Sequence, residues 1–395
     1  MYLTKEQERM LSGEEGEVVE RMFRLLVRLG EVYGADRMIP VSSAQVAGVS
    51  YKSIGDPGLE FLEDIAAKGA RVRIPTTLNP PGMDLVDWRE LGFPEDFAEK
   101  QLRIMEAFRK MGIMMTATCT PYLVGNLPRF GEHIAWSESS AVSFANSVIG
   151  ARTNREGGPS ALAAAICGLT PNYGLHLDEN RKPSYLIEVK AELRSNSDFG
   201  ALGYHVGKIV KDKVPYFRGI READVDQLKA LGAAMAASGA VALYHVEGIT
   251  PEAGMMDTNG LEKITVGEPE LRAAYEKLNT GSSPDIVILG CPHASLKEIA
   301  TLASKLEGKR LRKPVWICTS RATKETATRM GLTGAIEAAG GRIVADTCTV
   351  VSPIERMGYR TVGVDSGKAA NYLPGFCRQQ VVFKSMDELL EEMMA

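Results

Sequence analysis

Hydrophobic residues in segment 16–33 recur close to the 3.6-residue period of an α-helix. Apolar side chains occupy positions 18, 19, 22, 23, 25, 26, 27 and 29, and charged residues fill the opposite face. This pattern predicts an amphipathic helix on the surface of the protein.

Beyond this helix the chain changes to short apolar runs that alternate with helical patterns. The runs end in small or polar residues, and the five best defined are segments 71–79, 113–120, 285–291, 314–320 and 342–349. Helix-forming stretches at 97–112 and 295–308 supply the crossovers that parallel strands require. Because right-handed crossovers bring the carboxyl ends of such strands to one edge, the pattern predicts an α/β fold with parallel sheets.

Length and composition indicate several globular domains. The chain has 395 residues, of which 45% are hydrophobic and 24% charged, as in an ordinary globular protein. At roughly 100–200 residues per domain this length allows two to four domains. We expect an N-terminal α/β domain over 1–120, a middle loop-rich α/β domain over 121–280 and a C-terminal α/β domain over 281–395. No low-complexity tract separates them, so we expect close packing.

The charge balance argues against nucleic acid as the main partner. Forty-six Lys and Arg residues against 50 Asp and Glu residues give a net charge of −4, which offers no broad positive field to a polyanion. The N-terminal segment is charged where a signal peptide needs an apolar core, and no stretch approaches the ~20 apolar residues of a membrane span. We therefore expect a cytoplasmic protein that has no membrane partner.

Three of the six cysteines follow predicted strands. Cys119, Cys291 and Cys348 each come at the end of an apolar run, beside small or turn-forming residues. Ligands of open α/β sheets bind outside the carboxyl ends of the strands, so these thiols could share one cleft. The alternative is that each is a small apolar core residue, which is common for buried cysteine. Cys167 and Cys318 fit that alternative better, and Cys377 is a reserve ligand.

Thiolates from three separate loops favour an iron–sulfur cluster over zinc. Three protein thiolates can hold a cluster while one iron lacks a protein ligand, and that iron can act as a Lewis acid. Structural zinc sites normally show Cys-x2–4-Cys pairs, whereas no two cysteines here are closer than 27 positions. A nucleotide-binding protein that uses its cysteines only as core is disfavoured, because no G-x-G-x-x-G follows a strand.

Eight motifs together resemble the aconitase X family over most of the chain. They are GVSYKSIGDPG, TTLNPPGMD, TATCTPY, ANSVIGARTNREGGPSALAAAICG, HVEGITPEA, GCPHAS, DTCTVVSP and SGKAANYLPG. The resemblance implies an aconitase-like fold, with several α/β/α layered domains and mainly parallel sheets around a central cleft. It also implies that the middle domain carries substrate-binding motifs.

The resemblance implies a hydro-lyase of the archaeal mevalonate pathway. Its expected reaction removes water from (R)-mevalonate 5-phosphate, a phosphorylated hydroxy acid, and gives trans-anhydromevalonate 5-phosphate. Single-chain relatives carry an additional small swivelling domain, so this chain is expected to be the large catalytic subunit of a two-subunit enzyme with a small swivelling-domain partner. The alternatives are an iron–sulfur dehydratase of another hydroxy acid, such as cis-3-hydroxy-L-proline, and a non-catalytic scaffold subunit.

The resemblance also assigns site residues. Cys119, Cys291 and Cys348 are expected to bind a 4Fe-4S cluster, or a 3Fe-4S cluster on isolation. Ordinary aconitases carry a Cys-x-x-Cys pair that is absent here, so the cluster type stays open. The expected substrate contacts are Gly48, Val49, Ser50, Asn79, Pro80, Asn146, Ser147 and Lys368, and Ser147 and Lys368 are the expected catalytic residues.

Cationic residues supply candidate contacts for the anionic ends of such a substrate. Lys368 lies in SGKA, which lacks the Ser or Thr of a P-loop, so it is either a phosphate or carboxylate contact or a solvated lysine. Arg152 and Arg155 precede Gly157-Gly158 and a helix, an arrangement that can cradle an anion. The same glycines can also be a purely structural helix start.

The proton acceptor is less clear from the sequence. Ser147 or Ser50 could serve only when activated, and the base could lie on the partner subunit. The five histidines are scattered, although His293 beside Cys291 could orient a cluster. Glu252 is either a proton acceptor or a helix cap.

Overall fold

The predicted amphipathic helix is present and spans Glu17–Val32 in the computed structural model, which describes residues 1–394. Its apolar face, with Phe23 and Leu26 fully buried, packs into a core shared with Leu162 and Ile166 of a second, Ala-rich helix. Among residues 1–394, no helix is both long and apolar enough to cross a membrane.

The N-terminal part of the chain holds two small sheets and six helices. Its elements are α1 (Lys5–Leu11), α2 (Glu17–Val32), β1 (Met38–Pro40), β2 (Ala44–Val46), α3 (Tyr51–Ala67), β3 (Thr76–Leu78), α4 (Glu95–Lys110), β4 (Ala135–Trp136), α5 (Ser139–Phe144), α6 (Gly158–Cys167) and β5 (Leu169–Pro171). A parallel sheet has the order β3-β2-β4, and β1 pairs with β5 antiparallel. The division expected near residue 120 falls within this parallel sheet, because β4 pairs with β2.

The middle part is a four-stranded parallel sheet with the order β8-β7-β6-β9. Its elements are β6 (Tyr185–Val189), α7 (Asn196–Val210), β7 (Pro215–Arg218), α8 (Val225–Gly239), β8 (His245–Val246), β9 (Glu262–Val266) and α9 (Glu268–Leu278). Buried apolar side chains of α7 and α8 belong to the largest hydrophobic core, which continues into the C-terminal part.

The C-terminal part is a five-stranded parallel sheet with the order β12-β11-β10-β13-β14. Its elements are β10 (Ile286–Leu289), α10 (Leu296–Leu306), β11 (Val315–Thr319), α11 (Arg321–Arg329), α12 (Leu332–Ala338), β12 (Arg342–Ala345), β13 (Thr361–Val364), α13 (Gly367–Cys377), β14 (Gln380–Phe383) and α14 (Met386–Met393). Strands predicted at 285–291, 314–320 and 342–349 are present as β10, β11 and β12. The predicted α/β class with mainly parallel sheets is confirmed.

The strand predicted at 113–120 is wrong. This segment forms one isolated bridge with the N-terminal sheet, between Thr77 and Met114, and one further backbone hydrogen bond, from the Thr118 N–H to the Leu78 carbonyl at 2.9 Å. The Thr116 hydroxyl oxygen accepts from the Leu78 N–H at 3.0 Å, where a neighbouring strand would offer a backbone carbonyl. The backbone then turns at Ala117, whose φ is 43°. The strand predicted at 71–79 is present, but only as the three residues of β3.

A buried carboxylate fastens the N-terminal part to the C-terminal sheet. Asp84 is fully buried, and its two oxygens accept from the Ala345 N–H at 2.9 Å and from the Arg321 guanidinium at 2.5 Å. It also accepts from two N–H groups of its own loop, at Val86 and Asp87. Burial would raise the pKa of Asp84, but these backbone donors and Arg321 outweigh burial and lower it.

We expect Asp84→Ala to destabilise the protein by about 2–3 kcal/mol, because it leaves the buried Ala345 N–H without an acceptor and removes one of the two carboxylates that accept hydrogen bonds from Arg321. The free energy of unfolding in urea measures this loss. Asp87→Ala is the matched control, since it removes a half-exposed pair with Lys324 between the same segments and should cost about 1 kcal/mol or less. An equal loss of unfolding free energy in the two variants would show that Asp84 does not fasten the N-terminal part to the C-terminal sheet.

Candidate active site

Three predicted site residues follow strands at the carboxyl edge of the five-stranded sheet. Cys291 follows β10, Cys348 follows β12 and Lys368 follows β13. Strands β10 and β13 are neighbours at the point where the strand order reverses, and open α/β sheets bind their ligands there. The sheet therefore places two thiols and a cation where its topology favours a ligand.

Cys119 reaches the same place from the N-terminal part of the chain. The main-chain N–H of His293, two residues after Cys291, donates to the Cys119 sulfur at 3.2 Å. Sequence positions more than 170 residues apart are thus in contact, as the cysteine prediction requires.

The loops of Cys119 and Cys348 have the same local shape. Each cysteine stands between two threonines and is followed by a short 3-10 helix. Two positions before each cysteine the backbone takes a positive φ, 43° at Ala117 and 61° at Asp346. Such a conformation costs a non-glycine residue about 1–3 kcal/mol and is concentrated at functional sites. The shared strain marks both loops as functional candidates.

A buried ion pair lies at the centre of the site. Lys368, only 7% exposed at the first turn of α13, donates to the Glu138 carboxylate and to the Ser140 hydroxyl at 3.2 Å. The other Glu138 oxygen accepts from the Asn79 amide at 2.9 Å. Burial alone would raise the pKa of Glu138, but Lys368 and Asn79 outweigh it and lower that pKa to about 2. Glu138 is therefore ionised at neutral pH.

All three thiols lie close enough to Lys368 to be influenced by its charge. Burial raises the pKa of Cys119 and Cys348 and raises that of Cys291 to about 12, while the nearby ammonium group opposes the rise in every case. Burial would lower the pKa of Lys368, but Glu138 and the same three cysteines reverse this and raise it. A permanent cation here suits the negative charge that three metal-bound thiolates would bring.

These donors fit an iron–sulfur cluster better than one ion. Among residues 1–394, no three His, Cys, Asp or Glu side chains lie close enough to share a single metal ion. A tetrahedral zinc, with Zn–S bonds of about 2.3 Å, would draw its sulfur ligands to within about 4 Å of one another. In an iron–sulfur cluster each thiolate binds a different iron, so the sulfurs stand farther apart. Cys119, Cys291 and Cys348 stand on three separate loops, as ligands of three different irons can.

The remaining cysteines are buried in other contacts. Cys167 lies in the apolar interior of α6, and Cys318 in β11 contacts the Thr349 hydroxyl at 3.5 Å. The Cys377 thiol donates to the Val350 carbonyl at 3.1 Å and has the Lys52 ammonium 3.4 Å away. The structure thus places all three in packing roles.

Two predicted substrate loops flank Cys348. In the loop 48–50, the Ser50 hydroxyl caps α3 and donates to the Val351 carbonyl at 2.7 Å. In the loop 79–81, which includes Pro80, the Pro81 carbonyl accepts from the Cys348 N–H at 3.0 Å. Gly48, with a φ of 77°, gives the first loop its turn before Val49. The fold therefore brings both loops to the Cys348 loop, and Asn79 is linked to Lys368 through Glu138.

The side chains of Asn146 and Ser147 form hydrogen bonds with backbone groups, and their predicted substrate contacts stay predictions. The buried Asn146 amide donates to the carbonyls of Thr153 and Ala242 at 2.9 Å, and the Ser147 hydroxyl accepts from the Tyr244 N–H at 2.9 Å. Within residues 1–394, no hydrogen bond links either side chain to Lys368, Glu138 or a cysteine. The catalytic role of Ser147 stays a prediction that its contacts do not support.

Arg152, Arg155 and Glu252 are held in other interactions. Arg152 pairs with Asp178, and the exposed Arg155 donates to the Ala236 carbonyl at 3.2 Å. Glu252 forms a buried ion pair with Arg181 at 2.5 Å, so it is neither a helix cap nor a free proton acceptor. The anion cradle predicted for the two arginines stays untested.

Comparisons with known proteins identify the family. Models of the first, second and third domains of aconitase X match residues 1–179, 183–276 and 284–395. A crystal structure of Thermococcus kodakaraensis aconitase X in its holo-form has a TM-score of 0.94 and 51% sequence identity, with each chain covered completely. The chain belongs to the aconitase X family.

This aconitase X chain is similar to characterised subunits over its full length. The phosphomevalonate dehydratase large subunit of Methanocaldococcus jannaschii is 58% identical, and the match covers 99% of this chain and 100% of that protein. The phosphomevalonate dehydratase large subunit of Methanothermobacter thermautotrophicus is 56% identical, and the match covers 99% of this chain and 98% of that protein. The cis-3-hydroxy-L-proline dehydratase of Pseudomonas aeruginosa is 38% identical, and the match covers 97% of this chain but only 68% of that longer protein.

Sequence reasoning missed Glu138, the ionic partner of Lys368 in this aconitase X site. Glu138 stands in the segment Ser137-Glu138-Ser139-Ser140 and caps α5 by accepting from the Ser140 N–H. A single acid among serines before a helix reads as a cap, which it also is. Only the fold reveals its second role, because Lys368 lies 230 positions away in the sequence.

Proposed function

We propose that this chain is the large, catalytic subunit of an iron–sulfur hydro-lyase that dehydrates (R)-mevalonate 5-phosphate to trans-anhydromevalonate 5-phosphate. The observation that carries the proposal is the convergence of Cys119, Cys291 and Cys348 on the buried Lys368–Glu138 pair. The 58% identity with a phosphomevalonate dehydratase large subunit supports the choice of substrate.

Cys119, Cys291 and Cys348 would hold the cluster. A cluster bound through three protein thiolates supplies an iron with an open position, which polarises the hydroxyl that leaves. The 4Fe-4S type is proposed because it leaves one iron without a protein ligand. The partial exposure of Cys291 and Cys348 gives a substrate a route to this place.

The Lys368–Glu138 pair would handle the substrate's carboxylate and its acidic proton. An anionic substrate group that pairs with Lys368 competes with Glu138 for the ammonium, so the pKa of Glu138 rises and the carboxylate becomes a better base. Glu138 then takes a proton from the carbon next to the substrate carboxylate. The electrons of that C–H bond form the new double bond, and the neighbouring C–O bond breaks with its electrons on the departing hydroxyl oxygen, which leaves as water when it takes up the proton that Glu138 has accepted.

The loops around Cys348 would bind the rest of the substrate. Gly48, Val49 and Ser50 precede the N-terminus of α3, and the neighbouring loop of Asn79 and Pro80 contacts Cys348 through the Pro81 carbonyl. Helix N-termini and backbone N–H groups favour anions such as phosphate. Asn79 already donates a hydrogen bond to Glu138, so a substrate group that contacts Asn79 would alter the hydrogen bonding of the proposed base.

A small swivelling-domain subunit is the proposed partner. The relatives similar over their full length are named large subunits, whereas the single-chain relative from Pseudomonas aeruginosa is longer, with the match covering only 68% of it. A scaffold role fits less well. The buried Lys368–Glu138 pair stands with three thiols at the carboxyl edge of a parallel sheet, where such sheets bind their ligands, and a scaffold needs no ligand there.

Substrate assays on the anaerobic two-subunit complex test the proposal. We expect formation of a vinyl proton signal by NMR from (R)-mevalonate 5-phosphate, and a kcat/KM for cis-3-hydroxy-L-proline that is lower by about 10²-fold or more, since a site built for phosphate leaves its anion donors unpaired without one. A preference for the hydroxyproline, or turnover by a complex that contains neither iron nor sulfide, would contradict it.

A further inference from the structure

His293 lies in the loop of Cys291, and its imidazole contacts the loops of Cys119 and Cys348. His293 is 1% exposed, and its Nδ1 lies 2.9 Å from the Thr118 hydroxyl, next to Cys119. Its Nε2 lies 2.9 Å from the carbonyl oxygen of Thr347, next to Cys348. Because His293 itself follows Cys291 by two residues, one ring connects all three cysteine loops.

The hydrogen-bond partners determine where the ring proton sits. A carbonyl can only accept, so Nε2 carries the hydrogen and donates to Thr347. Nδ1 therefore accepts, and the Thr118 hydroxyl donates to it. The Thr118 oxygen in turn accepts from the Thr120 N–H at 3.2 Å and lies 3.1 Å from the Thr120 hydroxyl. Every polar atom of the ring is satisfied, so the ring has one defined orientation.

The main chain of His293 adds two further links. Its N–H donates to the Cys119 sulfur at 3.2 Å, and its carbonyl accepts from the Lys229 ammonium at 3.2 Å. Lys229 is itself fixed by Asp226 at 2.9 Å and Glu298 at 2.5 Å. His293 is therefore bound to the middle part of the chain through Lys229, and it also contacts the loops of Cys119 and Cys348.

We propose that His293 is a positioning residue that sets the spacing of the three cysteine loops for their cluster; this inference rests on the proposed function. Thiols from separate parts of the chain must be held at fixed distances from one another before they can bind one inorganic group. Hydrogen bonds behind metal ligands supply that order, and losing one typically costs 10–100-fold in metal affinity. The ring performs this task without itself being a ligand.

The rate at which a chelator strips iron from the anaerobic two-subunit complex tests this role. We expect His293→Phe, which keeps the ring volume without its hydrogen bonds, to lose iron about 10-fold faster or more. Thr118→Val removes only the hydroxyl that donates to Nδ1 and should give a several-fold increase, while Thr118→Ser restores the wild-type rate. The Thr118 pair decides the question if His293→Phe does not fold.

A second buried histidine provides the matched control. His245 is also fully buried and its Nε2 lies 2.8 Å from a backbone carbonyl, that of Arg181, but it contacts no cysteine loop. His245→Phe should lower the Tm of the cluster-free protein yet leave the iron-loss rate unchanged. Wild-type rates in both His293→Phe and Thr118→Val, or equally fast iron loss in His245→Phe, would overturn the inference. A wild-type complex without iron and sulfide would instead overturn the proposed function, and this inference with it.

Discussion

Lys368→Met lowers kcat by about 10³-fold and costs about 3–5 kcal/mol of stability, the losses we expect when a charge-stabilising group is removed and its buried partner is left unpaired. In the native protein Lys368 and Asn79 keep the pKa of Glu138 low, so the pair contributes stability above the ordinary carboxyl pKa and loses it only in strong acid. Without Lys368, burial raises the pKa of Glu138 instead. The variant should therefore lose stability as the pH rises above the ordinary carboxyl pKa, the opposite trend.

A double variant separates catalysis from stability in this prediction. Glu138→Gln combined with Lys368→Met removes both charges, so it should recover most of the lost free energy of unfolding and remove the dependence of stability on pH that Lys368→Met introduces, while kcat stays low. Urea unfolding at several pH values and turnover of the two-subunit complex give the two readouts. A Lys368→Met enzyme with more than a tenth of normal kcat would show that this pair is not central.

Cys348→Ser is expected to lower the cluster content and the activity together. Serine keeps the size of the side chain, and Cys348 is partly exposed, so the stability of the cluster-free chain should change by less than about 1 kcal/mol. Iron and sulfide per chain should fall several-fold, and turnover by about 10³-fold or more, because the thiolate is the ligand that iron–sulfur clusters prefer.

Cys377 and Cys318 are the controls for this substitution. Cys377→Ala removes the reserve ligand and Cys318→Ala removes a thiol next to the Cys348 loop, and both side chains are buried in packing contacts. We expect each to cost about 1–2 kcal/mol of stability and to retain the cluster. Retention of iron and sulfide by Cys348→Ser, or their loss from Cys377→Ala, would reject the ligand set.

Local patterns predicted the parts of the fold that depend on local chemistry. Periodicity located α2, and apolar runs located β10, β11 and β12, because both patterns record which face of an element is buried. The same reasoning failed at 113–120, where the run is equally apolar. There the Thr116 hydroxyl replaces a backbone partner and Ala117 turns the chain, and neither event alters the apolar count.

The candidate site was predictable only where the residue type alone indicates the chemical role. Strand-end cysteines identified three candidate ligands, and Lys368 stood out as a cation in a glycine-containing turn. Polar residues were ambiguous, because the Asn and Ser side chains that could bind a substrate also satisfy buried backbone groups, as Asn146 does. Glu138 escaped notice since its partner is distant in sequence and its local surroundings describe a helix cap.

Anomalous diffraction at the iron edge, on anaerobically grown crystals of the two-subunit complex, tests the central claim most directly. We predict a compact group of iron peaks bounded by the sulfurs of Cys119, Cys291 and Cys348, beside the Lys368 ammonium and within reach of the Glu138 carboxylate. Iron bound elsewhere, a single metal ion at these thiols, or a thiol among the three that points away from the peaks would contradict it.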